Sequence, residues 1–215
     1  MVDEAVRLMP ESLRMVLEIH RDDVLRGMLE PMTAEDGPEH RPPWFDGSLD
    51  SQVALRASLL VESVNHTAPF AQVARNFGAL AHFVADSGFP PGASGAGGVE
   101  RYADFAAFCE SRRERIPMVF YGHEDPDLER RDFDAFALRV LAQARAEDVD
   151  LARAYDAAGH PPDSRAFDDR SVPFAVASIA YSRCVTDIVR AWLTAWSEAD
   201  GDLGRTPYLK PKIRS

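Results

Sequence analysis

His82 and Asp86 are the residues of this sequence best suited to chemistry. They lie four positions apart in the stretch Gly-Ala-Leu-Ala-His-Phe-Val-Ala-Asp-Ser-Gly, residues 78–88. In an α-helix this spacing places an imidazole and a carboxylate one turn apart on the same face. One metal ion could then take a nitrogen and an oxygen ligand from a single helix. A hydrogen bond between the two side chains explains the same spacing, so the pattern alone leaves both interpretations open.

The other chemically capable residues give less specific signals. Glu62 and His66 also lie four positions apart, and they could bind a metal, but such a pairing arises easily by chance. His20 lies on an apolar stripe and is predicted to be a packed core histidine. Cys109 and Cys184 are too few for a disulfide framework, so they are predicted to be small apolar residues within helices.

The elements that must position these residues are helices throughout. Apolar side chains recur at three- and four-residue intervals, which is the period of one helical face, and no stretch of useful length alternates every two residues. The predicted helices cover about 10–28, 49–64, 69–87, 99–115, a segment that follows Asp127, 151–158 and 174–195. The intervening stretches at 31–48 and 89–98 are rich in proline and glycine and are predicted loops. The sequence therefore predicts an all-α helical bundle that forms a single domain over residues 1–215.

Charge and composition argue against several classes of partner. The chain has 215 residues, of which 24 are basic and 35 acidic, and its formal net charge is −11. Duplex nucleic acid and anionic bilayers repel such a polyanion, so broad electrostatic binding to either is not expected. No apolar run approaches the roughly 20 residues that a transmembrane helix needs, and the first residues lack the features of a signal peptide. The compartment stays open, with the cytoplasm as the default expectation.

Four motifs in the first half of the chain carry a resemblance to a known family. They are Leu-Ala-His-Phe-Val-Ala-Asp at 80–86 with Pro90, Pro-Glu-Ser-Leu-Arg at 10–14 with Gly27 and Pro31, His40 with Trp-Phe-Asp at 44–46, and Gly-Val-Glu-Arg-Tyr-Ala-Asp-Phe at 98–105. Together they resemble the zinc-dependent phospholipase C family, whose superfamily includes zinc-dependent single-strand nucleases. The resemblance covers about residues 8–115 and implies the helical fold of that family.

The resemblance also implies a zinc site, and the departures from the family pattern limit it to one ion. The residues that match family ligands are His40, His82 and Asp86. The positions at which family ligands have been replaced are Met32, Gly92, Val99 and Ala103. Two histidines and one aspartate can hold one zinc ion with an open position, as in catalytic sites with three protein ligands. They cannot form the multi-metal clamp that neutralises a phosphodiester.

Three functions remain compatible with the sequence. The first is a single-metal hydrolase acting on a phosphoester or another small-molecule substrate, with Asp104, Glu100 or Glu62 as candidates for the general base. The second is a catalytically inactive helical binding protein in which the histidines and the aspartate form a hydrogen-bonded patch. The third is a different small-molecule activity on the same scaffold. The sequence does not indicate the oligomeric state, and members of the resembled family are exported, in contrast to the cytoplasmic default.

Overall fold

The computed structural model describes residues 1–34, 37–159 and 163–209, and these residues contain helices and no β-strand. The α-helices are α1 Val2–Arg7, α2 Glu11–Ile19, α3 Arg21–Leu29, α4 Leu49–Asn65, α5 Phe70–Ser87, α6 Pro90–Ala93, α7 Ala96–Arg112, α8 Phe133–Ala158 and α9 Val172–Glu198. Short 3-10 helices in the connections are Glu30–Ala34, Pro38–His40, Pro43–Phe45, Leu128–Arg130 and Ser164–Ala166. The prediction of an all-α fold is confirmed.

The single helix predicted over residues 10–28 is wrong, because the chain turns at His20. This residue ends α2 and precedes α3 with φ −102° and ψ 29°, outside the helical range. Its Nδ1 lies 3.3 Å from Asp23 Oδ2 in the first turn of α3, so a local side-chain contact accompanies the break. His20 is therefore a half-buried junction residue and not the packed core histidine that its position in the apolar stripe predicts.

Two other predicted boundaries also need correction. The segment 151–158 is not a separate short helix, because α8 runs without interruption from Phe133 to Ala158 and buries Leu151 and Tyr155 on the same face. Its start is fixed by Asp132, whose side chain accepts a hydrogen bond of 2.9 Å from the Ala135 amide. The stretch 89–98, predicted as a loop, contains α6 and the first turn of α7. Pro90 favours the first turn of α6, because its fixed φ suits a helix start.

Helices α5 and α9 form the centre of the larger of two hydrophobic clusters. Trp192 on α9 is fully buried, and its indole Nε1 donates a hydrogen bond of 2.9 Å to the Phe77 carbonyl on α5. The two rings also pack edge to face, with centroids 5.4 Å apart. By length and composition α9 is the one described helix that could cross a membrane, but most of its apolar stretch is buried against other helices, as expected of a core helix.

Two glycines allow α3 and α5 to touch backbone to backbone. A Cβ atom on Gly78 would lie 2.0 Å from the Val24 carbonyl oxygen, and one on Gly27 would lie 2.0 Å from the Arg75 carbonyl oxygen. No larger residue fits at either position without separating the helices. This contact holds α5 in place one turn before His82.

A second, smaller hydrophobic cluster joins α7 to the C-terminal part of α8 and the beginning of α9. Its buried members are Phe105, Phe108, Leu151, Tyr155, Phe167, Val176 and Ala177. Helix α7 therefore packs against a different core from the one that supports α5.

Charged side chains are buried where α8 and α9 meet the segment that precedes α8. Asp125 and Asp187 are almost completely buried; Arg139 pairs with Asp125 and Asp127, and Arg190 lies 3.2 Å from Asp187. Burial raises the pKa of Asp187 to about 6, although the charges of Arg190 and Arg139 act in the other direction. These five residues are here called the buried charged cluster. Within it, desolvation strongly destabilises the ionised form of the Asp187 carboxyl group.

Candidate metal centre

Helix α5 presents His82 and Asp86 on one face, as their spacing predicts. His82 is buried and Asp86 is partly buried, and His82 Nε2 lies 3.2 Å from Asp86 Oδ2. Because α5 is a central helix held by its contact with α3, these two side chains project from a rigid support.

The connection between α3 and α4 brings His40 to the same face of α5. The connection folds back on itself, since the Ser48 amide donates to the Pro38 carbonyl at 2.8 Å and the Leu49 amide donates to the Arg41 carbonyl at 3.1 Å. It is also attached to α6, because Trp44 Nε1 donates a hydrogen bond of 3.0 Å to the Ala93 carbonyl. Since a residue 42 positions before His82 has no local reason to meet it, these tertiary contacts set the position of the His40 imidazole.

Three donor atoms converge at this point. His40 Nδ1 lies 2.7 Å from Asp86 Oδ2 and 3.3 Å from His82 Nε2, and the third side of the triangle is 3.2 Å. Two donors of a tetrahedral zinc ion, each at roughly 2.0–2.1 Å from the metal, lie about 3.3 Å apart. Two of the three sides match this value, and the third is shortened by the hydrogen bond. His40, His82 and Asp86, here called the triad, form a group that could hold a metal ion.

The ionised carboxylate of Asp86 suits a cation, whereas a proton on His40 competes with one. The hydrogen bond with Asp86 raises the pKa of His40, against the effect of burial. Burial alone would raise the pKa of Asp86, but the hydrogen bonds with His40 and His82 lower it overall, so this carboxyl group stays ionised. His40 Nε2 is buried and has no well-formed hydrogen bond among the described residues, although the Pro31 carbonyl is near enough to raise the pKa of His40 further. In the metal-free protein Nδ1 donates its proton to the Asp86 carboxylate, so a metal ion at Nδ1 would have to displace this proton and leave the imidazole protonated on Nε2.

His40 and Asp86 line a cavity of about 690 Å³, and the rest of its lining is mostly apolar. The other residues that line it are Met32, Gly37, Arg41, Pro42, Phe45, Pro91, Gly92, Gly95, Val99, Tyr102 and Ala103. These include all four positions at which the resemblance locates replaced metal ligands. Such positions, dispersed over about 70 residues of sequence, thus meet at one cavity beside the triad.

The candidates for a general base lie away from this cavity. Asp104 accepts hydrogen bonds from the Tyr155 hydroxyl at 2.6 Å and from the Ser164 amide at 2.9 Å, so its carboxylate joins α7 to α8 and to the segment after it. Glu100 and Glu62 are exposed, and none of the three lines the cavity. His66 is exposed too, and its Nδ1 donates to the Glu62 carbonyl oxygen at 2.9 Å. The structure therefore does not bring these four residues to the triad.

Two residues near the triad are missed by the sequence reasoning. Phe83 lies beneath the His40 ring in a stacked arrangement, with centroids 5.3 Å apart and planes inclined by 21°. Tyr102 is predicted to lie with Phe105 and Phe108 on the apolar side of its helix, yet it is 45% exposed and lines the cavity. Burial and the charge of Asp86 raise the pKa of the Tyr102 hydroxyl, and Tyr102 lines the same cavity as Asp86. Tyr102 lies three residues before Phe105, so its side chain is rotated by about 60° from Phe105 around the helix axis. This rotation is the one feature of the sequence that could have indicated its different environment.

Comparison with known proteins identifies no relative of this chain. No protein-family model, curated protein or solved structure matches this chain. The assignment of a metal centre therefore depends on the geometry of the triad and the chemistry of its donors. The likeness to the zinc-dependent phospholipase C family stays a prediction from the four sequence motifs.

Proposed function

We propose that this chain binds one zinc-like ion through His40, His82 and Asp86 and hydrolyses a phosphoester substrate in the adjoining cavity. The observation that carries the proposal is the convergence of three donors, from two separate segments, within 3.3 Å at the edge of a cavity. Zinc held there supplies a Lewis acid and a water molecule of lowered pKa. On this proposal the helices are a divergent form of the zinc-dependent phospholipase C fold.

The three donor residues would have different roles in such a site. His82 is buried behind the other two and fixes the position of the centre from α5, whereas His40 and Asp86 also face the cavity. A substrate in the cavity therefore reaches the same point as the three donors. Glycine, valine and alanine at positions 92, 99 and 103 offer no side-chain ligand, and a methionine thioether is a poor ligand for zinc, which supports one ion and not three.

A second candidate is a metal-free helical protein that binds a partner or a small molecule. The observation in its favour is the 2.7 Å hydrogen bond between His40 and Asp86, which already satisfies the charge of the carboxylate. Under this alternative the triad only attaches the connection between α3 and α4 to α5. A response to metal distinguishes the two candidates.

Metal analysis and thermal unfolding test the proposed centre. We expect one zinc ion per chain, and a melting temperature that rises with the logarithm of free zinc concentration. Asp86→Asn keeps the shape but weakens ligation, and His40→Ala removes the ligand from the connection, so both should abolish this rise. His66→Ala is the matched control, since His66 is exposed and distant from the cavity, and it should keep the full response.

The possible outcomes separate the alternatives. No bound metal at saturating zinc would support the hydrogen-bonded interpretation, and two or more ions per chain would show that further ligands compensate for the replaced ones. A full response in His40→Ala combined with its loss in Asp86→Asn would show that His40 is not a ligand. Hydrolysis of bis(4-nitrophenyl) phosphate by the zinc-loaded protein, absent in Asp86→Asn, then tests the phosphoester reaction itself.

A further inference from the structure

The walls of the cavity expose several apolar side chains to solvent. Met32 is 51% exposed and Val99 is 63% exposed, and both border the same space as Phe45 and Pro91. A cavity of about 690 Å³ lies within the range of roughly 300–1,000 Å³ that organic ligands occupy. When the apolar group of a ligand covers large apolar side chains around a cavity, their removal from water makes binding more favourable.

The Tyr102 hydroxyl adds a polar group to this apolar wall. Its ring is held edge to face against Phe89 with centroids 4.8 Å apart. Among the described residues no hydrogen bond to its hydroxyl is found, and Tyr102 lines the same cavity as His40 and Asp86. A protonated hydroxyl at this place can donate a hydrogen bond to a ligand oxygen beside the triad.

The charge balance of the cavity favours an anion at the triad end. Asp86 is the one carboxylate among the described residues that line the cavity, and its single negative charge only half compensates a divalent ion. Within the triad alone, one carboxylate and two neutral imidazoles leave an excess of one positive charge on a divalent ion, and the Glu39 carboxylate, outside the cavity lining, also acts on His40. A ligand with one negative charge neutralises that excess, because opposite charges attract.

We propose that the cavity binds a compact organic monoanion, with its charged oxygens at the triad and the Tyr102 hydroxyl and its apolar body against Phe45 and Val99. The proposal deepens the proposed function and rests on it, since the metal ion supplies the positive charge. It defines the substrate class as phosphoesters with one negative charge and an apolar group, in preference to small hydrophilic anions.

Calorimetric titration with a matched pair of probes tests this inference on the zinc-loaded protein. Acetate and phenylacetate carry the same charge and differ by a phenyl ring, and phenylacetamide keeps the ring without the charge. We expect phenylacetate to bind at least about tenfold more tightly than acetate, because the ring covers the apolar wall. We expect it also to bind at least about tenfold more tightly than phenylacetamide.

Variants assign the two contributions to residues. Val99→Asn should lower the affinity for phenylacetate about fivefold and leave that for acetate unchanged, because only the ring contacts this wall. Val149→Asn is the control, since Val149 is a half-exposed helical valine outside the cavity, and it should change neither affinity. Tyr102→Phe should lower both affinities by about threefold to tenfold and preserve their ratio, because it removes one hydrogen bond to the carboxylate.

Failure of this inference differs from failure of the metal centre. If zinc binds and acetate and phenylacetate bind equally well, the apolar ligand class is wrong while the metal centre stands. If Val99→Asn and Val149→Asn act alike, the apolar body does not contact the wall that α7 provides. If zinc does not bind but phenylacetate still exceeds acetate tenfold, the proposed function fails and the cavity is an organic-anion site without metal.

Discussion

At the scale of single residues, Phe83 is the side chain that orients both imidazoles. Its ring stacks with His40 at 5.3 Å and meets His82 edge to face at 5.1 Å, while the Arg56 guanidinium lies 5.1 Å from its centroid. Phe83 is itself buried in the larger hydrophobic cluster. A ligand whose ring is locked by packing binds metal with less loss of side-chain freedom, so Phe83 would be a positioning residue of the proposed centre.

The effect of Phe83 can be separated from general stability. Phe83→Leu leaves the triad intact but removes the stacked ring, so we expect zinc affinity to fall about tenfold, the lower end of the effect of supporting groups around a metal. Competition with a coloured chelator measures it. Phe136→Leu is the control, because Phe136 is an equally buried phenylalanine on α8 and each variant should lose about 1–3 kcal/mol of stability. Equal losses of zinc affinity in the two variants would contradict a specific role for Phe83.

At the scale of helices, α7 serves the cavity with one side and the smaller hydrophobic cluster with the other. Val99 and Ala103, one turn apart, line the cavity, whereas Phe105 and Phe108 are buried in that cluster. The cavity side of α7 is therefore free of packing constraints that would forbid polar side chains there. This freedom makes the helix suitable for a gain-of-ligand test.

Restoring ligands on α7 should add a second metal ion. Val99→His combined with Ala103→Glu creates a histidine and a carboxylate one turn apart beside the triad, and we expect elemental analysis to rise from one zinc ion per chain to two. Val149→His combined with Arg153→Glu places the same pair on an exposed face of α8 and should leave one ion. A second ion in both double variants would mean that any such helical pair binds zinc, and a second ion in neither would count against the resemblance.

The same elements show how far the sequence determines this structure. Helices α5 and α9 are predictable because their apolar spacing continues over many turns, and the spacing of His82 and Asp86 predicts their common face. The break at His20 is not predictable from periodicity, because the apolar spacing continues through it. The place of His40 depends on contacts distant in sequence, such as the hydrogen bond of Trp44 to the Ala93 carbonyl, which no local pattern encodes. In the sequence, only the resemblance to the family predicts that His40 joins His82 and Asp86.

At the scale of the whole molecule, the buried charged cluster makes stability depend on pH. The pKa of Asp187 is raised by burial from 3.8 to about 6, so between these values the folded chain holds a proton that the unfolded chain releases. The free energy of unfolding contributed by this group therefore rises as the pH falls through 6 and is complete below about 4. At neutral pH the ionised carboxyl group is a cost to the fold.

Urea unfolding at two pH values measures this contribution. Relative to Asp187→Asn, wild type should gain about 2 kcal/mol of stability between about pH 7.5 and about pH 4.5, because only wild type takes up the proton on this carboxyl group. Differences that do not depend on pH, such as the packing of the asparagine amide, cancel in this comparison. Asp150→Asn, at an exposed position on α8, should follow wild type at both pH values. A parallel pH dependence in wild type and Asp187→Asn would overturn the assignment.

The two hydrophobic clusters have a consequence for how the cavity admits a molecule. Its triad side is built on α5, in the larger cluster, whereas Val99 and Tyr102 belong to α7, which the smaller cluster supports. Segments secured by fewer buried contacts open at lower free energy than the whole chain unfolds. A displacement of α7 would therefore change the width of the entrance, whereas His82 and Asp86 are held on the side of the larger cluster. The width of the entrance and the geometry of the ligand set are thus secured by two different hydrophobic cores.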